Sequence, residues 1–150
     1  MEKLIVKNSI DLNASADKVW NALTNPEQTK KYMFGCEAIS DWKEGSSLIW
    51  KGVFNGQEII PVKGSILNIV PNKLLKYSVI DPNAAYPDIP ENYLNVIYEL
   101  SGKNNQTTLT VTQDGFETAA EGEKRFNETY NNGVGWDPIL KEIKKLVESE

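Results

Sequence analysis

The sequence predicts an α+β fold: an antiparallel sheet of about six to seven strands, two short helices after the first strand, and a long C-terminal helix. Three observations predict it. Apolar and polar residues alternate through most of residues 36–113, the pattern of half-buried strands. Tight turn signals, Asn55-Gly56 and the stretch SGKNN at 101–105, separate the alternating runs, and such short connections join antiparallel neighbours. Toward the end the period changes to 3.6. There Trp136, Ile139, Leu140, Ile143, Leu146 and Val147 share one helix face, with Lys141, Glu142, Lys144, Lys145 and Glu148 on the other.

The first strand is KLIVKNSIDL (3–12), with Leu4, Val6, Ile10 and Leu12 on one face and Asn8 interrupting it. Ser15 caps a short helix whose stripe is Val19, Trp20 and Leu23. Asn25 caps a second one, with Pro26 at its first position and Gln28 where a capping-box partner sits. A short strand lies near CEAIS (36–40). LIWKGVF (48–54) and QEIIPVKGSILNIV (57–70) form a hairpin about Asn55-Gly56. KLLKYSVI (73–80) follows a turn, and YLNVIYEL (93–100) pairs with QTTLTVTQ (106–113). The connection DPNAAYPDIPEN (81–92) carries Pro82, Pro87 and Pro90 and reads either as a binding loop or lid, or as a solvated excursion. The final helix is expected over about residues 119–149. Pro138 removes an amide, so a kink or a fresh start is expected at Asp137–Pro138, with Asp137 placed to cap it.

A chain of 150 residues fits one domain over 1–150, and 40% hydrophobic with 25% charged residues fits a soluble globular protein. A net charge of −5 without a long run of one sign argues against nucleic acid or an anionic membrane as partner. Arg125 is the only arginine, which gives no support to phosphate recognition. Cys36 is the only cysteine, so no intrachain disulfide forms, and it reads as a structural thiol. The chain has no histidine, which removes Ser-His-Asp and Cys-His nucleophile systems and the usual zinc sites. No phosphate-binding glycine loop is present. Neither a metal nor an organic cofactor is expected. MEKLIVKNSIDLN lacks a basic-then-apolar signal pattern and no apolar run approaches the roughly 18 residues of a membrane span, so a cytoplasmic location is expected.

The aromatic residues carry the candidate site. Trp50 and Phe54 share a strand face with Leu48, Tyr77 with Leu75 and Val79, and Tyr98 with Val96 and Leu100. Glu99 then faces outward. Phe126 and Tyr130 stand at i and i+4 on the final helix, on the side of Gly133 and Trp136. An apolar pocket with a few hydroxyls is the usual form of a small-molecule site, though each of these rings also suits ordinary core. Trp20 and Trp42 read as structural. Gly133 lies within about 100° of Trp136 on an unbroken helix. It either thins the helix beside a ligand, or lets helix and sheet approach closely with NNGVG (131–135) as a frayed or kinked segment. Arg125 either meets a ligand anion or pairs on the surface with Glu121 or Glu128. The expected ligand-binding set is Trp50, Phe54, Tyr77, Tyr98, Arg125, Phe126, Tyr130, Gly133 and Trp136.

Four stretches in order resemble one family: VWNALTNPEQTKKYMFG (19–35), SDWKEGSSLIWKG (40–52), KGSILNIVPNKLLKYS (63–78) and GWDPILKEIKKLVE (135–148). They resemble bacterial single-domain proteins named after the C-terminal domain of the activator of a heat-shock chaperone ATPase, a branch of the START-like helix-grip superfamily. The resemblance implies a strongly curved sheet that wraps the last helix and leaves a cavity between them. It implies binding of a small apolar or amphipathic molecule by a monomer or homodimer. A module that acts on a chaperone ATPase is the alternative it leaves open. A cofactor-free cyclase or hydrolase using tyrosines and Arg125 is another.

Overall fold

The computed structural model describes residues 4–149. A strand β1 (Val6–Leu12) leads into helices α1 (Ala16–Thr24) and α2 (Pro26–Tyr32). Six strands follow: β2 (Glu37–Ser40), β3 (Ser47–Phe54), β4 (Gln57–Val70), β5 (Leu74–Val79), β6 (Leu94–Lys103) and β7 (Gln106–Asp114). Helices α3 (Gly122–Tyr130) and α4 (Asp137–Glu148) complete the chain. The strands form one open antiparallel sheet in the order β1-β7-β6-β5-β4-β3-β2. First and last strands therefore lie side by side, and β2 and β1 are the edges.

Local chemistry accounts for the boundaries. The Ser15 hydroxyl accepts from the Lys18 N–H at 3.3 Å, and the Asn25 side chain accepts from the Glu27 N–H at 3.0 Å. At the β3–β4 hairpin Asn55 and Gly56 have φ of 52° and 77°, the two left-handed residues of a type I′ turn. Asn104 and Asn105 do the same between β6 and β7, with φ of 52° and 65°. Inward residues of the sheet, among them Val6, Leu48, Ile66, Leu75, Tyr98 and Leu109, form one core with Val19 and Leu23 of α1 and with Leu140, Ile143 and Val147 of α4. Glu99 faces out, as the alternation requires.

One close approach stiffens the sheet. A Cβ on Gly64 would stand 1.6 Å from the Ser78 carbonyl oxygen. Gly64 and Ser78 face each other on these neighbouring antiparallel stretches, beside the Lys63↔Ile80 bridge.

The expected single helix over 119–149 is two helices. The break comes earlier than Pro138, through Asn131, Asn132, Gly133 and Gly135, with φ of 44°, 55°, 92° and 51°. Asparagine and glycine are the residues that tolerate this left-handed region, so the run itself ends α3. Pro138 lies in the first turn of α4, where its missing amide costs nothing, and a fresh helix does start there. Asp137 does not cap it. Trp136 holds that position, and the Asp137 carboxylate pairs with Lys141 at 3.2 Å.

Asn8 explains how the break is held. Its Oδ1 accepts from the Trp136 N–H at 3.0 Å and its Nδ2 donates to the Val134 carbonyl at 3.3 Å. The polar residue that interrupts the inner face of β1 is thus a clasp for the turn before α4. Gly135 lets the clasp close, since a Cβ there would lie 2.4 Å from Asn8 Oδ1 and 3.0 Å from Val6 Cγ1.

A cavity between the β3–β4 hairpin, the end of α2 and Trp136

A cavity of about 350 Å³ opens where β3, β4 and β5 curve past the end of α2. Strand register builds its floor. Gln113 on β7 pairs with Val96 on β6, and Val96 pairs with Tyr77 on β5, so these three side chains stand in a row on the inner face. Trp50, Val62 and Val79 continue the wall, and Trp136 closes the far side. Met33, Phe34 and Phe54 stand at the mouth, with Phe34 77% and Phe54 40% exposed. Gly52 makes room for the last of these. A Cβ there would lie 2.9 Å from the Phe54 ring and 3.1 Å from the Cys36 sulfur.

The rings behind the wall form a continuous set. Trp50 and Tyr77 lie 6.4 Å apart between centroids, Tyr77 and Tyr98 5.9 Å, and Tyr98 meets Trp136 edge-on at 5.9 Å. The Tyr77 hydroxyl donates to the Tyr98 hydroxyl at 3.3 Å, and the Trp136 indole N–H donates to Gln113 Oε1 at 2.9 Å. Burial pushes the Tyr98 phenol up to about 12 and that of Tyr77 well above its ordinary value, and it raises the Cys36 thiol. The titratable groups around the cavity therefore stay neutral near pH 7. Among the described residues, no Asp, Glu, Lys or Arg lines it.

Those raised phenols have a measurable consequence. A group whose folded pKa exceeds its unfolded value contributes stability that is complete below the unfolded pKa, near 10 for tyrosine, and is lost as pH rises through the folded one. Stability should therefore fall between about pH 10 and about 12, the value to which Tyr98 is raised. Absorbance at alkaline pH follows the ionisation of the buried phenols, those of Tyr32 and Tyr77 raised well above the ordinary value by burial. Tyr32, Tyr77 and Tyr98 should ionise only with unfolding; their ionisation in the intact protein would contradict this.

Of the residues expected at the site, Trp50, Phe54, Tyr77 and Trp136 line the cavity. Tyr98 lies directly behind Tyr77. Phe126, Tyr130, Gly133 and Arg125 do not border it. Their expected placement assumed one unbroken helix, and the left-handed run turns α3 away from the line of α4. Phe126 instead stacks on Tyr130 at 5.2 Å and meets Phe116 edge-on at 5.5 Å. Gly133 lies exposed in the turn, with a φ of 92° that glycine adopts without strain.

Arg125 holds the proline-rich connection. Its guanidinium donates to the Asn92 carbonyl at 3.0 Å and the Ala120 carbonyl at 3.2 Å, and lies 4.5 Å from the centre of the Tyr86 ring. Among the described residues these are its partners, rather than Glu121 or Glu128. Asn92 is tied as well, by Nδ2 to the Pro87 carbonyl and by Oδ1 from the Ala120 N–H, both at 2.8 Å. Arg125→Lys should weaken the two hydrogen bonds that one guanidinium nitrogen, Nη1, makes to both carbonyls and lose most of the ring contact, costing about 1–2 kcal/mol. Faster proteolytic cleavage within residues 81–93 is the expected readout, and an unchanged cleavage rate would remove the latch.

Sequence reasoning missed Gln113, Val62, Val79, Val96 and the mouth residues Met33 and Phe34, and it gave Cys36 only a packing role. A signal for Gln113 existed. The inner face of β7 runs Thr107, Leu109, Val111, Gln113, which puts an amide where the pattern asks for an apolar side chain. Among the described residues, no three His, Cys, Asp or Glu side chains cluster to hold a metal ion, and no helix is long and apolar enough to cross a membrane.

An antiparallel sheet gripping a C-terminal helix, with an apolar cavity at one end of the grip, defines a START-like helix-grip domain. A family model described as activator of Hsp90 ATPase homolog 1-like protein matches residues 13–148, and the chain belongs to that family. No curated protein matches it. Among solved structures it is similar to ChR145 from Cytophaga hutchinsonii, at 39% identity and a TM-score of 0.76 over 99% of this chain and 97% of that one. The Aha1 dimer from Colwellia psychrerythraea shares the fold at 20% identity and a TM-score of 0.68, over 96% of both chains. CalU16 from Micromonospora echinospora does so at 22% identity and 0.69, over 96% of this chain and 74% of that one.

Proposed function

We propose that this protein binds a small, predominantly apolar molecule in the cavity between the β3–β4 hairpin and Trp136. The observation that carries the reading is the lining itself: aromatic and aliphatic walls, no charged side chain among the described residues, and exposed aromatic residues at the mouth. Its volume of about 350 Å³ falls at the small end of the roughly 300–1,000 Å³ typical of ligand sites. Tyr77 and Tyr98 form a buried hydroxyl pair, but their raised pKa values keep both protons in place, so the pair supplies no base at neutral pH. Binding without a cofactor or a catalytic step is the function this environment supports best.

Cys36 provides the test, because it lines the cavity and is the sole cysteine. A small methanethiosulfonate reagent should modify it slowly, and saturating 2-acetylnaphthalene should slow the reaction several-fold further. Val79→Trp, which places a ring in the cavity, should abolish both binding and protection. A probe that binds without protecting Cys36 would move the site elsewhere. Native mass spectrometry of freshly purified protein would then identify any molecule carried through purification.

A further inference from the structure

We propose that Gln113 selects, among molecules that fit the cavity, those carrying an uncharged carbonyl-type acceptor, which its amide N–H grips. This rests on the cavity being a ligand site.

The orientation of the amide is fixed by chemistry. An indole N–H can only donate, and the Trp136 indole lies 2.9 Å from one end of the Gln113 amide. That end must be the oxygen. The NH2 group is thereby turned away from Trp136, and among the described residues it has no acceptor. Gln113 is 8% exposed, so the group is not simply at the surface. Nor is it sealed in, because no side-chain nitrogen or oxygen among the described residues is both fully enclosed and unpartnered. The open space that Gln113 borders is the cavity.

The other polar groups of the wall define what the donor can meet. The Tyr77 O–H already donates its hydrogen bond to the Tyr98 oxygen, and burial keeps the Cys36 thiol neutral. With no charged side chain among the described residues of the lining, a ligand ion would lose its hydration without a counter-charge. A neutral ketone, aldehyde, ester or amide oxygen on an apolar body satisfies the amide at no such cost. A pure hydrocarbon of the same shape leaves it unpaired.

The test uses two probes of equal shape, 2-acetylnaphthalene and 2-isopropenylnaphthalene, in which a methylene replaces the carbonyl oxygen. Affinities are measured on the wild type and on Gln113→Leu, with Cys36 protection as a common readout. Gln113→Leu should weaken the ketone roughly 3- to 10-fold, the range expected for one hydrogen bond, and leave the hydrocarbon unchanged or tighter. The carbonyl stretch of the ketone bound to wild-type protein should lie below its position in hexane, a measurement that stands even if Gln113→Leu fails to fold. An equal effect on both probes, or a carbonyl stretch at its hexane position, overturns the proposal while leaving the cavity as a binding site. Failure of both probes to bind or protect Cys36 overturns the cavity reading, and this proposal with it.

Discussion

Gly64→Ala is expected to be the most damaging single-methyl substitution in the sheet. Its Cβ would fall 1.6 Å from the Ser78 carbonyl oxygen, a backbone atom held by strand pairing rather than the end of a flexible side chain. Ordinary overpacking costs about 1–3 kcal/mol because side chains can yield. Here β5 itself must move, so the loss should exceed about 3 kcal/mol, a large share of the ~5–15 kcal/mol by which domains are stable. Gly56→Ala is the control. It adds a methyl into open space at a φ of 77°, which costs only about 1–2 kcal/mol. Urea unfolding of the two variants should separate them clearly. Similar midpoints would mean that the approach of Gly64 to Ser78 is looser than its geometry shows.

Trp136→Ala should cost about 3–5 kcal/mol, the range for removing a large buried aromatic side chain. Trp136 is 9% exposed, packs edge-on against Tyr98 and donates to Gln113. The Asn8 clasp engages only its backbone N–H, so the turn before α4 should survive the substitution. Trp136→Phe keeps most of the packing and removes the indole donor, and its loss should be about 1–2 kcal/mol. Far-ultraviolet circular dichroism near wild type, with a large shift in the urea midpoint for alanine alone, is the expected pair of results. Equal losses for the two variants would show that the hydrogen bond to Gln113, and not the ring, carries the energy.

The sequence disclosed the fold through signals that act locally. Asn55-Gly56, the capping residues Ser15 and Asn25, and the alternating strands each dictate structure within a few residues, and each element stands where those signals put it. The candidate site divides along the same line. Trp50, Phe54 and Tyr77 were legible because a strand side chain has only two faces to choose from. Phe126, Tyr130 and Gly133 were misplaced because a helical wheel presumes a continuous helix, and Asn131-Asn132-Gly133 interrupts it. Asn8 and Gln113 were not legible as partners of Trp136. Each reads alone as a polar break in a strand, and their meaning depends on contacts more than a hundred residues away in one case, and across two elements in the other.

The pairing of β1 with β7 has a consequence for synthesis of the chain. Val6 is paired opposite Gln113, and among the described residues β7 is the one strand beside β1. A ribosome adding about 5–20 residues per second makes the second partner roughly 5–20 s after the first. Throughout that interval Val6, Ile10 and Leu12 have no sheet to join, and α4, which packs on β1, is later still. Such long-range closure also places refolding of the complete chain toward the slow, millisecond-to-second end of small-domain kinetics. Strand β1 thus leaves the ribosome well before the strand it pairs with, and is among the last of the sheet to find its place.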